Sequence, residues 1–171
     1  RQKIDQVRMF GKDYVDIVLT GDTFDDSNRE ALAFARGRGM TFIHPFDDPK
    51  TIEGQATVGM EIIQDATAPV DYLFVPIGGG GLASGVGSYF KQISPSTKVI
   101  GVEPAGAASM KAAIEAGHPV KLPSVDKFVD GAAVAQAGEY TFDICRRVLD
   151  DIVTVPEGKV CTAILELYNR S

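Results

Sequence analysis

Apolar positions recur along this chain in two rhythms, and the rhythms alternate. Ile4 to Phe10 follows a short helical period and is closed by Gly11. Tyr14 to Leu19 alternates loosely and stops at Thr20-Gly21, which predicts a strand. Asp22 or Thr23 can cap a helix over Asp25 to Arg36, with Ala31, Ala33 and Phe34 on its apolar face and Gly37 and Gly39 ending it. Met40 to His44 predicts a second strand, so the opening segment reads as strand, helix, strand, the parallel crossover unit. Phe46-Asp47-Asp48-Pro49 is a turn and marks the expected domain boundary.

Beyond the turn, Thr51 to Gln64 has helical spacing, with Ile52, Ala56, Met60 and Ile63 on one face. Tyr72 to Ile77 is a nearly continuous apolar run, the pattern of a strand buried on both faces. Leu82 to Ile93 predicts a helix packing through Leu82, Val86, Tyr89 and Phe90 and ending before Pro95. Lys98 to Glu103 predicts a strand, and Ala107 to Ala116 a helix closed by Gly117. Pro119 to Phe128 is irregular. Tyr140 to Leu149, Asp151 to Val155 and Lys159 to Tyr168 read as helix, strand and helix. Strands alternating with helices define an α/β protein with parallel sheets flanked by helices.

Between the strand at Tyr72 and the helix at Leu82 lie four consecutive glycines, Gly78 to Gly81. Glycines leave backbone N–H groups free to converge on one point. The helix behind them adds its unpaired first-turn donors and the positive end of its dipole. A strand, glycine loop and helix in that order is an anion site, with phosphate the usual occupant. Two ligands fit from spacing alone. Gly78-x-Gly80-x-x-Ala83 matches the loose dinucleotide fingerprint. Glu103, about twenty residues past Ala83, stands where an acid would hold a ribose in a nicotinamide-dependent oxidoreductase. Four glycines in a row fit equally a cradle for one phosphate, as on pyridoxal phosphate.

Composition narrows the partners. The chain has 171 residues, a net charge of −6 and 44% hydrophobic residues, and a sequence pI near 4.9. That balance argues against a nucleic-acid or anionic-membrane surface. No apolar run is long enough to span a bilayer, and no signal peptide is recognised. Cys145 and Cys161 fall in predicted helices without metal-ligand spacing, as reduced core residues of a cytoplasmic protein would. The chain begins Arg1-Gln2-Lys3 without an initiator Met and stops at Tyr168-Asn169-Arg170-Ser171, so both ends are expected to continue.

Val75-Pro76-Ile77-Gly78-Gly79-Gly80-Gly81-Leu82 resembles the tetraglycine loop of the fold type II pyridoxal-phosphate enzymes, the tryptophan synthase β-like group. Four further stretches resemble, in order, those of the threonine dehydratases: Pro45-Phe46-Asp47-Asp48-Pro49 followed by Gly54-Gln55-Ala56-Thr57, Val102-Glu103-Pro104, Phe128-Val129-Asp130-Gly131, and Asp150-Asp151-Ile152-Val153. Lys111 to Val120 is closer to the biosynthetic branch, which feeds isoleucine synthesis, than to serine racemase. The resemblance implies conversion of L-threonine, with L-serine a second candidate, to a 2-oxo acid and ammonia, with the cofactor as electron sink. It implies that Gly78, Gly79, Gly80, Gly81 and Leu82 present N–H groups to the cofactor phosphate and that the Gly131 backbone sits near the ring.

Glu103 and the Ala107 carbonyl match two metal-binding positions of relatives such as serine racemase. The third position, an Asp there, is Ser109 here, so no metal is assigned. The resemblance divides the chain into the tail of a small domain, residues 1–48, and most of a large cofactor-binding domain, residues 49–171, of a homo-oligomeric enzyme. The Ser-Phe-Lys-type motif that carries the Schiff-base lysine does not occur, so this stretch alone contains no catalytic residue and is expected to be inactive. It is also expected to fold only in part by itself. Lys50, Lys91, Lys98 and Lys159 have surface contexts, His44 and His118 read as structural or solvated, and Asp150-Asp151 as a helix-to-strand turn. A Gly80→Asp change is expected to repel the phosphate while leaving the fold intact.

Overall fold

A computed structural model describes residues 2–22 and 24–170. Thr23, one of the two expected helix caps, lies outside them. The chain divides into two compact units, residues 1–42 and 43–171.

The first unit holds helix α1 (Gln2–Gly11), a 3₁₀ turn at Lys12–Tyr14 and helix α2 (Phe24–Gly37). Neither expected strand forms. Val15 is extended, with φ −132° and ψ 123°. A strand exists only through a ladder, however, and among the described residues neither Tyr14 to Leu19 nor Met40 to His44 has a pairing partner. Met40 instead closes α2, donating its N–H to Ala35 O at 2.9 Å. The face expected on α2 also shifts: Ala35 is its buried residue, while Ala33 and Phe34 are exposed.

The second unit is a parallel three-stranded sheet in the order β1 (Tyr72–Pro76), β2 (Lys98–Pro104), β3 (Asp151–Val155). Tyr72 pairs with Lys98, and Ile100 with Asp151, at the starts of the two ladders. Helix α3 (Pro49–Asp65) precedes the sheet. Helix α4 (Gly81–Ile93) joins β1 to β2, and α5 (Ser109–Ala116) and α6 (Glu139–Val148) lie between β2 and β3. Helix α7 (Glu157–Arg170) follows. The core joins Val75, Ile77 and Val99 to Ala83, Val86 and Phe90 of α4, Met110 and Ala113 of α5, and Phe142 and Cys145 of α6.

Strand β1 is not buried on both faces. Val75 points into the core, but Tyr72 and Phe74 are each 62% exposed. Strand residues alternate sides, the described helices that form the core cover one side, and β1 stands at the edge of the sheet. On α3 the expected face also turns: Ile52 and Gly59 are buried, while Met60 is exposed.

Helix ends follow sequence where capping is local. Asp48 accepts the N–H groups of Lys50 and Thr51 at 2.8 and 3.1 Å, with Pro49 in the first turn of α3. Gly117 ends α5 with φ +78°. Helix α5 starts two residues later than its pattern suggests, after a 3₁₀ turn at Ala105–Ala107, because its cap comes from Glu103.

The junction of α4, β2 and β3 is closed by one carboxylate. Asp150 accepts from Lys91 Nζ at 2.5 Å, Lys98 Nζ at 3.1 Å and Val99 N–H at 2.8 Å. The Lys91 hydrogen bond, ahead of the others, holds the Asp150 carboxyl at about 2, down from 3.8. A depressed folded-state value means that this stability is present above about pH 4 and lost as pH falls through about 2. The side chain is 23% exposed, so solvent screening reduces the contribution to about 1 kcal/mol. Asp150→Asn is therefore expected to lower stability at pH 7 and to show a shrinking deficit as pH drops below 4. Urea unfolding of parent and variant across that range checks it, and a deficit independent of pH would refute the assignment.

Candidate anion site at the glycine loop

The loop after β1 begins with Ile77, whose N–H donates to Val102 O at 2.8 Å and continues the ladder. Gly80 is the N-cap of α4 and has φ +94° and ψ 0°. That left-handed conformation is open to glycine at little cost and opposed by any Cβ. The first helical bond of α4 runs from Ser84 N–H to Gly80 O at 2.9 Å. The N–H groups of Gly80, Gly81, Leu82 and Ala83 precede it, and among the described residues they meet no acceptor. Four donors at one helix start, with the dipole behind them, suit a phosphate dianion.

The loop is packed from three sides. A Cβ on Gly79 would lie 2.3 Å from the Phe46 ring, and one on Gly81 would lie 3.0 Å from Phe46 Cβ. A Cβ on Gly78 would come within 3.0 Å of Ala132 Cα and 3.4 Å of Gly131 O. A Cβ on Gly80 would enter the core, 2.6 Å from Met110 Cε and 3.0 Å from Thr141 Cβ. The structure thus brings Gly131, in the 3₁₀ turn Asp130–Ala132, against Gly78.

Phe46 belongs to a turn that sequence pattern marks only as a boundary. Its neighbour His44 accepts the Asp47 N–H at Nδ1 at 2.8 Å and the Phe46 N–H at 3.3 Å. Thr51 Oγ1 donates to His44 O at 3.0 Å. Burial pushes the His44 imidazole below its ordinary value, and Asp47 and Asp48 oppose the shift. A neutral imidazole is the form that accepts at Nδ1, so His44 is structural, as its sequence context suggests. Asp47 reaches α6, accepting from Glu139 N–H at 3.0 Å and Thr141 N–H at 3.1 Å. No local signal announces these contacts, since 92 and 94 residues separate the partners.

Glu103 is fully buried. Its carboxylate accepts from Met110 N–H at 2.8 Å and Lys111 N–H at 2.9 Å. These are the second and third positions of α5, so a strand residue supplies the N-cap that Ala108 lacks. Burial raises its carboxyl above the ordinary value, while the two backbone donors and the nearby Lys111 charge oppose that rise. Such a group faces no ribose, and the dinucleotide reading loses its acidic anchor. Ala107 is buried beside it. Ser109 Oγ is buried without a hydrogen-bond partner. Among the described residues no group of three His, Cys, Asp or Glu side chains could hold a metal.

Other candidate groups lie apart from the loop's donors or are inert. Lys91 and Lys98 are engaged by Asp150, and Lys50 pairs with Glu53 on the surface. Asp151 accepts the N–H of its own neighbour Ile152, so Asp150 and Asp151 form no catalytic pair. Cys145 lies beneath the loop, and burial pushes its thiol up to about 12, which leaves it an unreactive core residue. No helix among the described residues is long and apolar enough to cross a membrane.

The family of pyridoxal-phosphate dependent enzymes matches residues 1–171. The chain belongs to that family. It is 61% identical over 170 residues to the biosynthetic L-threonine dehydratase IlvA of Halalkalibacterium halodurans, covering 99% of this chain and 41% of that protein. With the IlvA protein of Bacillus subtilis it shares 57% identity over 99% of this chain and 40% of the relative. Among solved structures, the processed form of threonine deaminase isoform 2 from Solanum lycopersicum superposes with a TM-score of 0.90. It is 48% identical and covers 98% of this chain and 48% of that one. Maize serine racemase superposes with a TM-score of 0.88 at 29% identity, over 98% of this chain and 51% of its own. The chain therefore spans about two-fifths of the length of these curated relatives, and the α/β fold of parallel strands flanked by helices is that of these structures.

Proposed function

We propose that this chain is the phosphate-gripping part of an enzyme that converts L-threonine to 2-oxobutanoate and ammonia, serving isoleucine synthesis. The observation that carries the reading is the set of unpaired N–H groups from Gly80 to Ala83, fanned from a helix start by a left-handed glycine. The relatives at 61% and 57% identity, both named biosynthetic threonine dehydratases, favour threonine over serine.

Pyridoxal phosphate, when bound, supplies the electron sink for cleavage next to the amino group. The residues of this chain bind and orient it. Gly80, Gly81 and Leu82 donate to the phosphate, Gly78 and Gly79 shape the approach to it, and Gly131 lines the side next to Gly78. Residues 1–48 belong to the end of a small domain and residues 49–171 to most of a large one. The intact enzyme is a cytoplasmic homo-oligomer that handles amino acids, not nucleic acid or membrane.

Purified intact protein is expected to bind pyridoxal phosphate and to form 2-oxobutanoate from L-threonine. Its kcat/KM should exceed that for pyruvate from L-serine by about tenfold or more, the worth of one methyl group in a pocket. Parallel assays of the two products decide it. A reversed preference would assign the enzyme to serine, an equal one would refute the preference for threonine, and no cofactor binding would remove the proposal.

A further inference from the structure

Glycine alone does not aim a donor. The peptide unit joining Gly79 to Gly80 is rigid and trans, so its carbonyl and its N–H point in opposite directions. Thr141, fully buried at the start of α6, donates its hydroxyl to Gly79 O at 2.7 Å. Gly138 O, at 3.3 Å, is the more distant alternative acceptor. The Gly79 carbonyl is thereby drawn toward α6, and the Gly80 N–H is turned away from it.

Thr141 is itself held from outside its helix. Its N–H donates to Asp47 Oδ1 at 3.1 Å, while Asp47 Oδ2 takes the N–H of Glu139 at 3.0 Å. The approach is close enough that a Cβ on Gly138 would lie 2.3 Å from Asp47 Oδ1. From another side the Phe46 ring covers Gly79, and the Phe46 backbone and Cβ lie against Gly81. The turn before α3 and the start of α6 therefore fix the glycine loop together.

We infer that Thr141 is a positioning residue for the cofactor phosphate: its hydroxyl sets the orientation of the Gly79–Gly80 peptide and so aims the Gly80 N–H. The inference rests on the proposed phosphate cradle. It needs the hydroxyl and not the methyl group, which separates positioning from packing. Thr141→Val keeps shape and removes the donor, whereas Thr141→Ser keeps the donor and removes the methyl.

The test uses the intact protein and measures the dissociation constant of pyridoxal phosphate from its visible absorbance, the inhibition of its binding by inorganic phosphate, and the far-ultraviolet circular dichroism of the cofactor-free form. Thr141→Val is expected to retain its dichroism and to weaken both pyridoxal phosphate and inorganic phosphate by about tenfold, the effect of misdirecting one hydrogen bond. At saturating cofactor its kcat should return to within about twofold of the parent, because the residue touches no reacting atom. Thr141→Ser should bind cofactor within about threefold of the parent. A folded valine variant with parental cofactor affinity overturns the inference. If the valine variant does not fold, the serine variant decides, and a tenfold loss there overturns it, since its hydroxyl is intact. A crystal structure of the parent with cofactor separates the two levels. Phosphate seated away from Gly79 to Leu82 removes the cradle itself, whereas phosphate on the loop with an unaffected valine variant removes only the role of Thr141.

Discussion

Gly80→Asp in the intact protein is expected to abolish soluble, folded protein rather than to release cofactor from an intact fold. Repulsion of a phosphate by a neighbouring carboxylate suggests the milder outcome, but the geometry rules against it. At φ +94° any Cβ is strained, by about 1–2 kcal/mol. The Cβ would stand 2.6 Å from Met110 Cε and 3.0 Å from Thr141 Cβ. The methionine end can move, but the threonine is pinned by its hydrogen bonds to Gly79 and Asp47. The carboxylate would follow that Cβ into a core that holds the uncharged thiol of Cys145 and the already buried Glu103. An unpaired buried charge adds several kcal/mol, and the sum approaches the whole stability of an ordinary domain, about 5–15 kcal/mol. Gly80→Ala carries the strain without the charge and should fold with a loss of about 2 kcal/mol. Soluble yield and thermal unfolding of the two variants check this. A Gly80→Asp protein with the parental melting temperature would mean that the loop does not face the core as described.

Gly85→Val should destabilise the protein nearly as much, without touching the loop. Gly85 lies on α4 where α3 crosses it. A Cβ there would be 2.5 Å from Ile52 O, 2.6 Å from Ala56 N and 2.9 Å from Gln55 C. All three atoms are backbone, so no side chain can swing aside and the helices must separate. Overpacking of this kind costs about 3 kcal/mol or more. The displacement would reach the cradle as well, because α3 is continuous through its Asp48 cap with the turn that presses Phe46 onto Gly79 and Gly81. Cofactor affinity is therefore expected to fall together with stability. Gly54, on the exposed side of the same α3, has nothing within 4 Å of a would-be Cβ. Gly54→Ala should stabilise by about 0.5–1 kcal/mol through helix propensity alone. Denaturant unfolding of the three proteins checks both signs, and a Gly85→Val variant as stable as Gly54→Ala would refute the close helix crossing.

Local sequence determined a large part of this molecule. The strand, glycine loop and helix from Tyr72 to Ile93 can be read directly, because a short continuous apolar run, a run without side chains and a period near 3.6 are properties of adjacent residues. The same holds for the Gly117 stop and the need for glycine at Gly80, and the motifs from Pro45 to Val153 point to the pyridoxal-phosphate family. The tertiary structure decided the rest. Tyr14 to Leu19 and Met40 to His44 are composed like strands, yet strand identity depends on a neighbour that no local pattern contains. Tyr72 and Phe74 are apolar but exposed, because burial depends on what covers a face. Glu103 looks like a ribose-binding acid or a metal-binding position and instead caps α5 from the end of a strand. Phe46 and Thr141 meet the glycine loop, and Asp47 the start of α6, across intervals of tens of residues, with Thr141 62 positions from Gly79. Such contacts arise when packing brings distant backbone groups within hydrogen-bond reach, and a buried donor or acceptor must then find a partner wherever in the chain it lies.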